Sequence, residues 1–283
     1  MADELSQKKA RLDALLSAMG SALVAFSGGV DSTFLATVAR DLLGDRAVAV
    51  TALSPSVPQS EAADAAALAG LIGIRHITIE TRELDSADYV NNTPARCYYC
   101  KDELFGRLRS LAEGMGLACV LDGSNCDDEG DYRPGRRAAA RHGVRSPLLE
   151  AGLGKDDIRT LSRERGLPTW DKPAMACLAS RLPYGTPITE QALKQVEAAE
   201  AFLRSLGIRQ LRVRHHGDVA RIEVDGAGRD ALLREENRQA VVERLRSLGY
   251  LYVAVDLAGF RSGSLNEGLG RAAPNKGENP PTE

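Results

Sequence analysis

Apolar residues fall in two rhythms over the first two-thirds of the chain. Short runs of strand length, ALVAF (22–26), AVAVTAL (47–53), RHITIE (75–80) and ACVLDG (118–123), are set apart from one another. Between and after them lie stretches with helical spacing of apolar positions, at 31–43, 59–73, 101–116 and 155–168. Gly166 and Pro168 stop the last of these. Apolar strands alternating with helices predict an α/β fold, a parallel sheet with helices on both faces.

The rhythm changes after RLPYGTPIT. A long helix is expected over 188–206. QLRVRHH and VARIEVD alternate around a Gly217-Asp218 turn and predict an antiparallel hairpin. A helix over 229–248 and a strand over 250–257 complete a small α+β unit. The expected organisation is therefore a first domain over 1–183, a second over 184–272 and a disordered Pro-rich tail, APNKGENPPTE, over 273–283. No internal repeat is visible.

With 283 residues, 43% of them hydrophobic, the chain can bury one large core or two modest ones. A net charge of -3 gives no sign of a broad nucleic-acid-binding face. No run approaches the ~18 apolar residues of a membrane helix. The amphipathic start, MADELSQKKARLDALL, lacks a signal-peptide core, so a cytoplasmic protein is expected. In a reducing compartment the five cysteines are not a disulfide framework. Each is a core residue, a metal ligand or a nucleophile.

The first chemical signal is SALVAFSGGVDS, residues 21–32. A Gly-rich turn between strand and helix lets backbone N–H groups approach an anion, and the helix dipole favours the same ligand. The alternative is an ordinary Gly-rich turn. The lysine of GxxxxGK[ST] is missing, which excludes the usual nucleotide loop. SGGVDS instead resembles the PP-loop of the N-type ATP pyrophosphatases, which split ATP between its α and β phosphates. That resemblance implies that Ser27, Gly28, Gly29, Asp31 and Ser32 hold the phosphates, with Asp31 also placing Mg²⁺. LDGSNCDD follows a strand end, where α/β sheets collect ligands, and so brings Gly123, Ser124 and Asn125 to the same crevice. Asp127 could bind metal or substrate, or lie in a solvated loop.

RCYYCKDELF (96–105), YRPGRRAA (132–139), WDKPAMACLASRLPYG (170–185) and DLAGFRSGSLNE (256–267) closely resemble the LarE family. The likeness spans nearly the whole chain apart from its termini. It implies an ATP-dependent, AMP-forming sulfur transferase, working on pyridinium-3,5-biscarboxylic acid mononucleotide. The product is a thiocarboxylate, on the route to the nickel-pincer nucleotide of lactate racemase. The family cysteine falls on Cys177, and the catalytic pair implied is Cys177 and Asp31.

The source of the sulfur stays open between two routes. Cys177 can give up its own sulfur, or it can join Cys97 and Cys100 of the C-x-x-C pair as three ligands of a 4Fe-4S cluster carrying an extra sulfide. The cluster route is preferred, because sacrifice of Cys177 gives no reason for Cys97 and Cys100. Structural zinc, a redox pair or no metal are the other readings of that pair. Lys172 and Arg181 are close enough in sequence to lower the Cys177 thiol pKa; a buried structural cysteine is the plain alternative. Cys119 reads as core, and Cys126 receives no role.

Arg181, Arg212, Arg214 and Arg261 are the expected substrate-binding cations, with Arg212 and Arg214 on one strand face beside His216. A solvated basic face is the alternative for that strand. Expected partners are the nucleotide substrate, other copies of the chain, and sulfide or a sulfur-relay donor. Two rival functions are a cluster-dependent tRNA thiolase and a non-catalytic ATP-binding regulatory module.

Overall fold

The structure is a computed structural model and describes residues 2–128, 134–173, 176–261 and 263–268. It divides into two compact units. The first comprises residues 1–86 and 96–175, the second residues 87–95 and 176–283.

The first unit opens with α1 (Ala2–Met19), then β1 (Ala22–Ala25), α2 (Val30–Leu43), β2 (Ala47–Leu53), α3 (Gln59–Ile72) and β3 (Arg75–Glu80). The chain then leaves for the second unit, where α4 (Ala87–Val90) lies, and returns at α5 (Arg96–Gly114). β4 (Cys119–Leu121), α6 (Gly135–Arg141), α7 (Pro147–Glu150) and α8 (Lys155–Glu164) follow. The four strands form one parallel sheet in the order β3-β2-β1-β4, with Ala22 paired to Ala47 on one side and Cys119 on the other. Successive side chains leave opposite faces. Ala22, Val24, Ala47 and Ala49 pack with Leu12, Phe34, Leu35 and Ile158, while Leu23, Val48 and Val50 pack with Phe105, Leu108 and Ala138. This is the expected doubly covered sheet.

The sheet order reverses at β1. β2 and β3 build outward on one side, and β4 sits on the other. Such a switch point opens a crevice at the carboxyl ends of the two flanking strands. Residues 26–29 follow β1 there, and residues 122–125 follow β4.

Helix α5 begins five residues earlier than the apolar spacing predicts. The turn RCYYC gives no apolar period, yet Arg96 is buried. Cys97 and Cys100 therefore stand one turn apart within a helix rather than in a loop.

In the second unit, α9 (Glu190–Ser205), β5 (Leu211–His216), β6 (Val219–Val224), α10 (Gly226–Leu233), α11 (Glu235–Ser247) and β7 (Tyr252–Val255) make a three-stranded sheet and its helices. β5 and β6 pair antiparallel, as the alternation predicts, and β7 joins β6 in parallel. The single helix expected over 229–248 is two helices, broken at an extended Arg234. Asp225 caps the first, accepting from the Gly228 N–H at 2.7 Å. Between Leu233 and Val241 the only apolar residue is Ala240, so little burial holds one continuous axis. Residues 87–95 are stitched into this unit by Asn92, whose side-chain amide donates to the carbonyls of Pro183 (2.8 Å) and Thr186 (2.9 Å). Asn92 adopts φ 51°, a left-handed conformation that asparagine tolerates. The tail expected over 273–283 lies outside the described residues.

Candidate active site

The glycine loop is shaped by its own serines. Gly28 has φ +67°, and a Cβ there would lie 3.3 Å from the Ala65 backbone of α3. A side chain at this position would therefore meet both strain and crowding. Gly29 is the N-cap residue of α2, with no side-chain cap. Ser27 Oγ and Ser32 Oγ are 3.1 Å apart, and Ser32 Oγ also accepts from the Ser27 N–H at 3.3 Å. The α2 N-terminus thus faces the loop with donors and a positive dipole end.

Gly123 packs directly on this turn, since a Cβ there would meet Ser32 N at 3.1 Å and Asp31 Cβ at 3.3 Å. Ser124 Oγ donates to Asp122 at 2.9 Å, and Ser146 Oγ donates to the other Asp122 oxygen at 2.7 Å. Asn125 is buried, and its side-chain oxygen accepts from the Asp127 N–H at 3.0 Å. Gly123 is therefore the element of this strand end that touches the loop, while Asp122 and Asn125 fix its shape. Asp127 is accounted for locally: its carboxylate accepts from the Lys155 N–H at 2.6 Å, at the first residue of α8.

Asp31 stands in the first turn of α2. Its Oδ2 lies 2.5 Å from Lys155 Nζ, while Oδ1 is buried with no hydrogen-bond partner among the described residues. A buried, unsatisfied carboxylate oxygen at a phosphate-type loop has the chemistry of a ligand for a hard cation, so the residues fit Mg²⁺. Lys172 Nζ donates to the Gly28 carbonyl at 3.2 Å and lies 4.0 Å from Asp64. Two lysines from far along the chain thus reach a loop that carries none of its own. No spacing rule in the sequence connects residue 155 to residue 31.

In the second unit the arginines divide by partner. Arg181 is 2% exposed and makes two bonds to Glu200, at 2.8 and 3.0 Å. Its remaining nitrogen donates to the carbonyls of Ala176 (2.6 Å) and Cys177 (3.1 Å). It therefore holds the backbone of Cys177. Glu200 is wholly buried. Burial pushes its carboxyl up, but Arg181, Arg204 and the Val213 N–H more than offset this and leave it below the usual carboxylate range. Arg214, also 2% exposed, pairs with fully buried Glu223 at 2.9 Å and donates to Ser264 Oγ and the Ser180 carbonyl, both at 2.6 Å.

Arg212 is different. It is half-buried, its guanidinium stacks 4.7 Å from the Phe260 ring, and it donates to the Arg261 carbonyl at 3.4 Å. Among the described residues no carboxylate lies within ion-pair distance of it. Burial, then the charges of Arg214 and Arg181, pull its pKa down, against a smaller opposing pull from Glu223 and Glu200. A half-buried cation pressed by other cations favours an anionic ligand. Arg261 forms a two-point pair with Glu267, at 2.9 and 3.1 Å. Glu200 and Glu223 were not anticipated. The signal for Glu200 lies in α9, where it occupies a place in the buried stripe of Leu193, Val196, Ala199 and Leu203.

None of the five cysteines is in a disulfide. Cys97 is exposed and Cys100 half-buried, both in the first unit; half-buried Cys177 precedes a short 3₁₀ turn, Leu178–Arg181, in the second. Cys119, the first residue of β4, packs partly buried against the core, as expected. Among the described residues no three His, Cys, Asp or Glu side chains gather as metal ligands, and no helix is long and apolar enough to cross a membrane.

Residues 10–113 match the family model described as NAD synthase. The chain is 44% identical to the pyridinium-3,5-bisthiocarboxylic acid mononucleotide synthase of Lactiplantibacillus plantarum, over 95% of this chain and 97% of that protein. It is 45% identical to an uncharacterised protein of Synechocystis sp., over 94% of this chain and 99% of the other. More distant is an uncharacterised protein of Methanocaldococcus jannaschii, 27% identical over 85% of this chain and 90% of its own length.

Proposed function

This chain belongs to the LarE family of ATP-dependent sulfur transferases, and we propose that it converts a carboxylate of pyridinium-3,5-biscarboxylic acid mononucleotide into a thiocarboxylate, forming AMP and pyrophosphate. The observation that carries the reading is the loop at residues 27–32, together with its likeness along nearly the full chain to a synthase of the bisthiocarboxylic product. The loop amides and serine hydroxyls bind the phosphates. Asp31 holds Mg²⁺, which when bound supplies positive charge to the phosphates. The substrate carboxylate oxygen attacks the α-phosphorus, and the electron pair of the broken α–β bridge leaves on pyrophosphate. A sulfur nucleophile then displaces AMP from the acyl carbon.

In the second unit Arg212 is the residue best suited to the substrate phosphate, as a cation with no carboxylate partner among the described residues. Arg214, Arg181 and Arg261 shape that site and add positive potential while paired.

Cys97, Cys100 and Cys177 would hold a 4Fe-4S cluster, which would supply the sulfur as sulfide. The donor set fits in kind: three cysteines outside any disulfide, two of them one helical turn apart on α5. With three protein thiolates and no fourth, such a cluster would leave room to bring in a sulfide nucleophile. Arg181 fixes the Cys177 backbone through its carbonyl. The experiment is anaerobic purification with iron and labile-sulfide analysis, then intact-protein mass spectrometry after turnover with added sulfide. The expected result is bound iron, repeated turnover and an unchanged polypeptide, with activity lost in Cys97→Ser, Cys100→Ser and Cys177→Ser alike. Loss of the mass of hydrogen sulfide at Cys177, without iron and after a single turnover, would make Cys177 the sulfur donor.

A further inference from the structure

Several basic side chains of α5 and α6 have carboxylate partners. Arg107 pairs with Glu103, Arg109 with Glu113 at 2.8 Å, and Arg141 with Asp102 at 3.3 Å. Lys101 and Arg137 are exposed and have no carboxylate within ion-pair distance among the described residues. Each lies against an aromatic ring instead. Lys101 Nζ is 5.1 Å from the Phe105 centroid, and the Arg137 guanidinium is 5.8 Å from that of Tyr98. A ring face steadies a cation without cancelling its charge, as a carboxylate would.

Both charges border the C-x-x-C turn. Lys101 follows Cys97 by four residues on α5, which sets the two side chains on one helix face. Arg137 reaches Tyr98, the residue after Cys97. The two helices meet at this turn: a Cβ on Gly135 would lie 2.9 Å from Lys101 Cγ and 3.5 Å from the Cys97 carbonyl oxygen. The first turn of α5 carries no acidic residue, so no side chain of that turn offsets the positive end of its dipole. α6, GRRAAAR, has three arginines and no acid. This basic surface runs against a chain whose net charge is -3.

Resting on the sulfur-transfer reading above, we infer that Lys101 and Arg137 form a steering site that gathers hydrosulfide, a small sulfur anion, at the exposed Cys97. A patch of one sign raises the local concentration of the opposite ion and speeds its encounter. The phosphates have their own loop at residues 27–32, whereas cations beside a pair of cysteines suit a sulfur anion. Steering makes and breaks no covalent bond, and both cations keep their protons. They are positioning residues for the incoming anion.

The first test needs no turnover. In full-length protein without bound iron, alkylation of Cys97 is followed by peptide mass spectrometry, with anionic iodoacetate and with neutral iodoacetamide. Both reagents meet the same thiolate, so the ratio of their rates cancels its reactivity and reports the local potential. In the double variant Lys101→Gln, Arg137→Gln the ratio should fall about threefold or more at low salt. Lys101→Arg with Arg137→Lys should keep it within about twofold. A merely structural role would move both rates together and leave the ratio alone. A fall of less than about threefold in the Gln variant overturns the inference. If that variant does not fold, the wild-type protein decides. Its ratio should drop about threefold or more from ~0.01 M to ~1 M salt, although two anions meeting in free solution react faster when screened. A smaller drop or a rise overturns the inference. In the iron-loaded enzyme the Gln variant should raise KM for sulfide about threefold or more, with iron content and KM for ATP unchanged. An unchanged KM for sulfide overturns hydrosulfide as the ligand. Absence of both iron and sulfide-dependent turnover in wild type would instead contradict the sulfur-transfer reading, and the alkylation ratio would still decide the patch.

Discussion

Around residues 27–32 the first unit leaves its charges able to let go. Asp31 has one oxygen on a flexible lysine and one without a partner among the described residues, and the backbone N–H groups at the head of α2 face the loop. In the second unit Arg181–Glu200 and Arg214–Glu223 are locked pairs, each member 2% exposed or less, with further bonds to backbone and serine. Arg212 alone of the strand's two arginines stands outside such a pair. The contrast separates two uses of charge. A site that must exchange ligands keeps its counter-ions replaceable, whereas a site that must hold shape buries them together. A cation in a sequence motif can belong to either, and its partner decides which.

The largest expected effect tests the replaceable side. Asp31→Asn keeps the size of the side chain and removes the charge, so AMP formation should fall by about a hundredfold or more while the melting temperature changes little. A large loss of stability with near-normal activity would place Asp31 among the locked groups instead.

The locked side predicts the reverse. Glu200→Ala leaves Arg181 buried without its carboxylate and should cost about 3–5 kcal/mol of stability, read from denaturant unfolding of the full chain. A cost under about 1 kcal/mol would mean that the pair is solvated and replaceable.

Arg212 and Arg214 sharpen the comparison within one strand. Arg212→Ala should raise KM for the pyridinium mononucleotide about tenfold and leave KM for ATP unchanged, as expected for loss of uniform binding. Arg214→Ala should lower the melting temperature as well, because Glu223 is left buried. Equal behaviour of the two variants would erase the distinction.

The smallest effect is in pH. Glu200 lies below the usual carboxylate range in the folded chain. A depressed carboxylate contributes stability that is present above its unfolded pKa and lost as pH falls through the folded one. Denaturant midpoints should therefore decline on acidification below about pH 4.5, the ordinary glutamate value, and the Glu200→Gln variant should decline less over the same range. Parallel curves would remove Glu200 from the acid response.

Much of this was legible in the residues, and the losses have physical causes. The runs at 22–26 and 47–53 announce strands because both sheet faces are covered there, whereas 75–80 is an edge strand that packs through Ile77 and Ile79, and all three pair as expected. The glycine loop was legible because a tight turn against α3 leaves no room for a side chain at Gly28. Lys155 was not, since its meeting with Asp31 depends on how α8 packs on α2 and leaves no local pattern. The C-x-x-C pair was visible, but its place inside α5 was not, because RCYYC has no apolar period. Alternation along LRVRHH correctly set Arg212 and Arg214 on one strand. It could not distinguish the arginine facing Glu223 from the one stacked on Phe260, because that difference is made by residues outside the strand.

The measurement that bears most directly on the account is the product balance of a single anaerobic reaction with ATP, Mg²⁺, sulfide and pyridinium-3,5-biscarboxylic acid mononucleotide. AMP, pyrophosphate and thiocarboxylate should appear in equal amounts, with none formed by Asp31→Asn above about a hundredth of the wild-type rate. ADP and orthophosphate as the main products, or AMP without any thiocarboxylate, would contradict it.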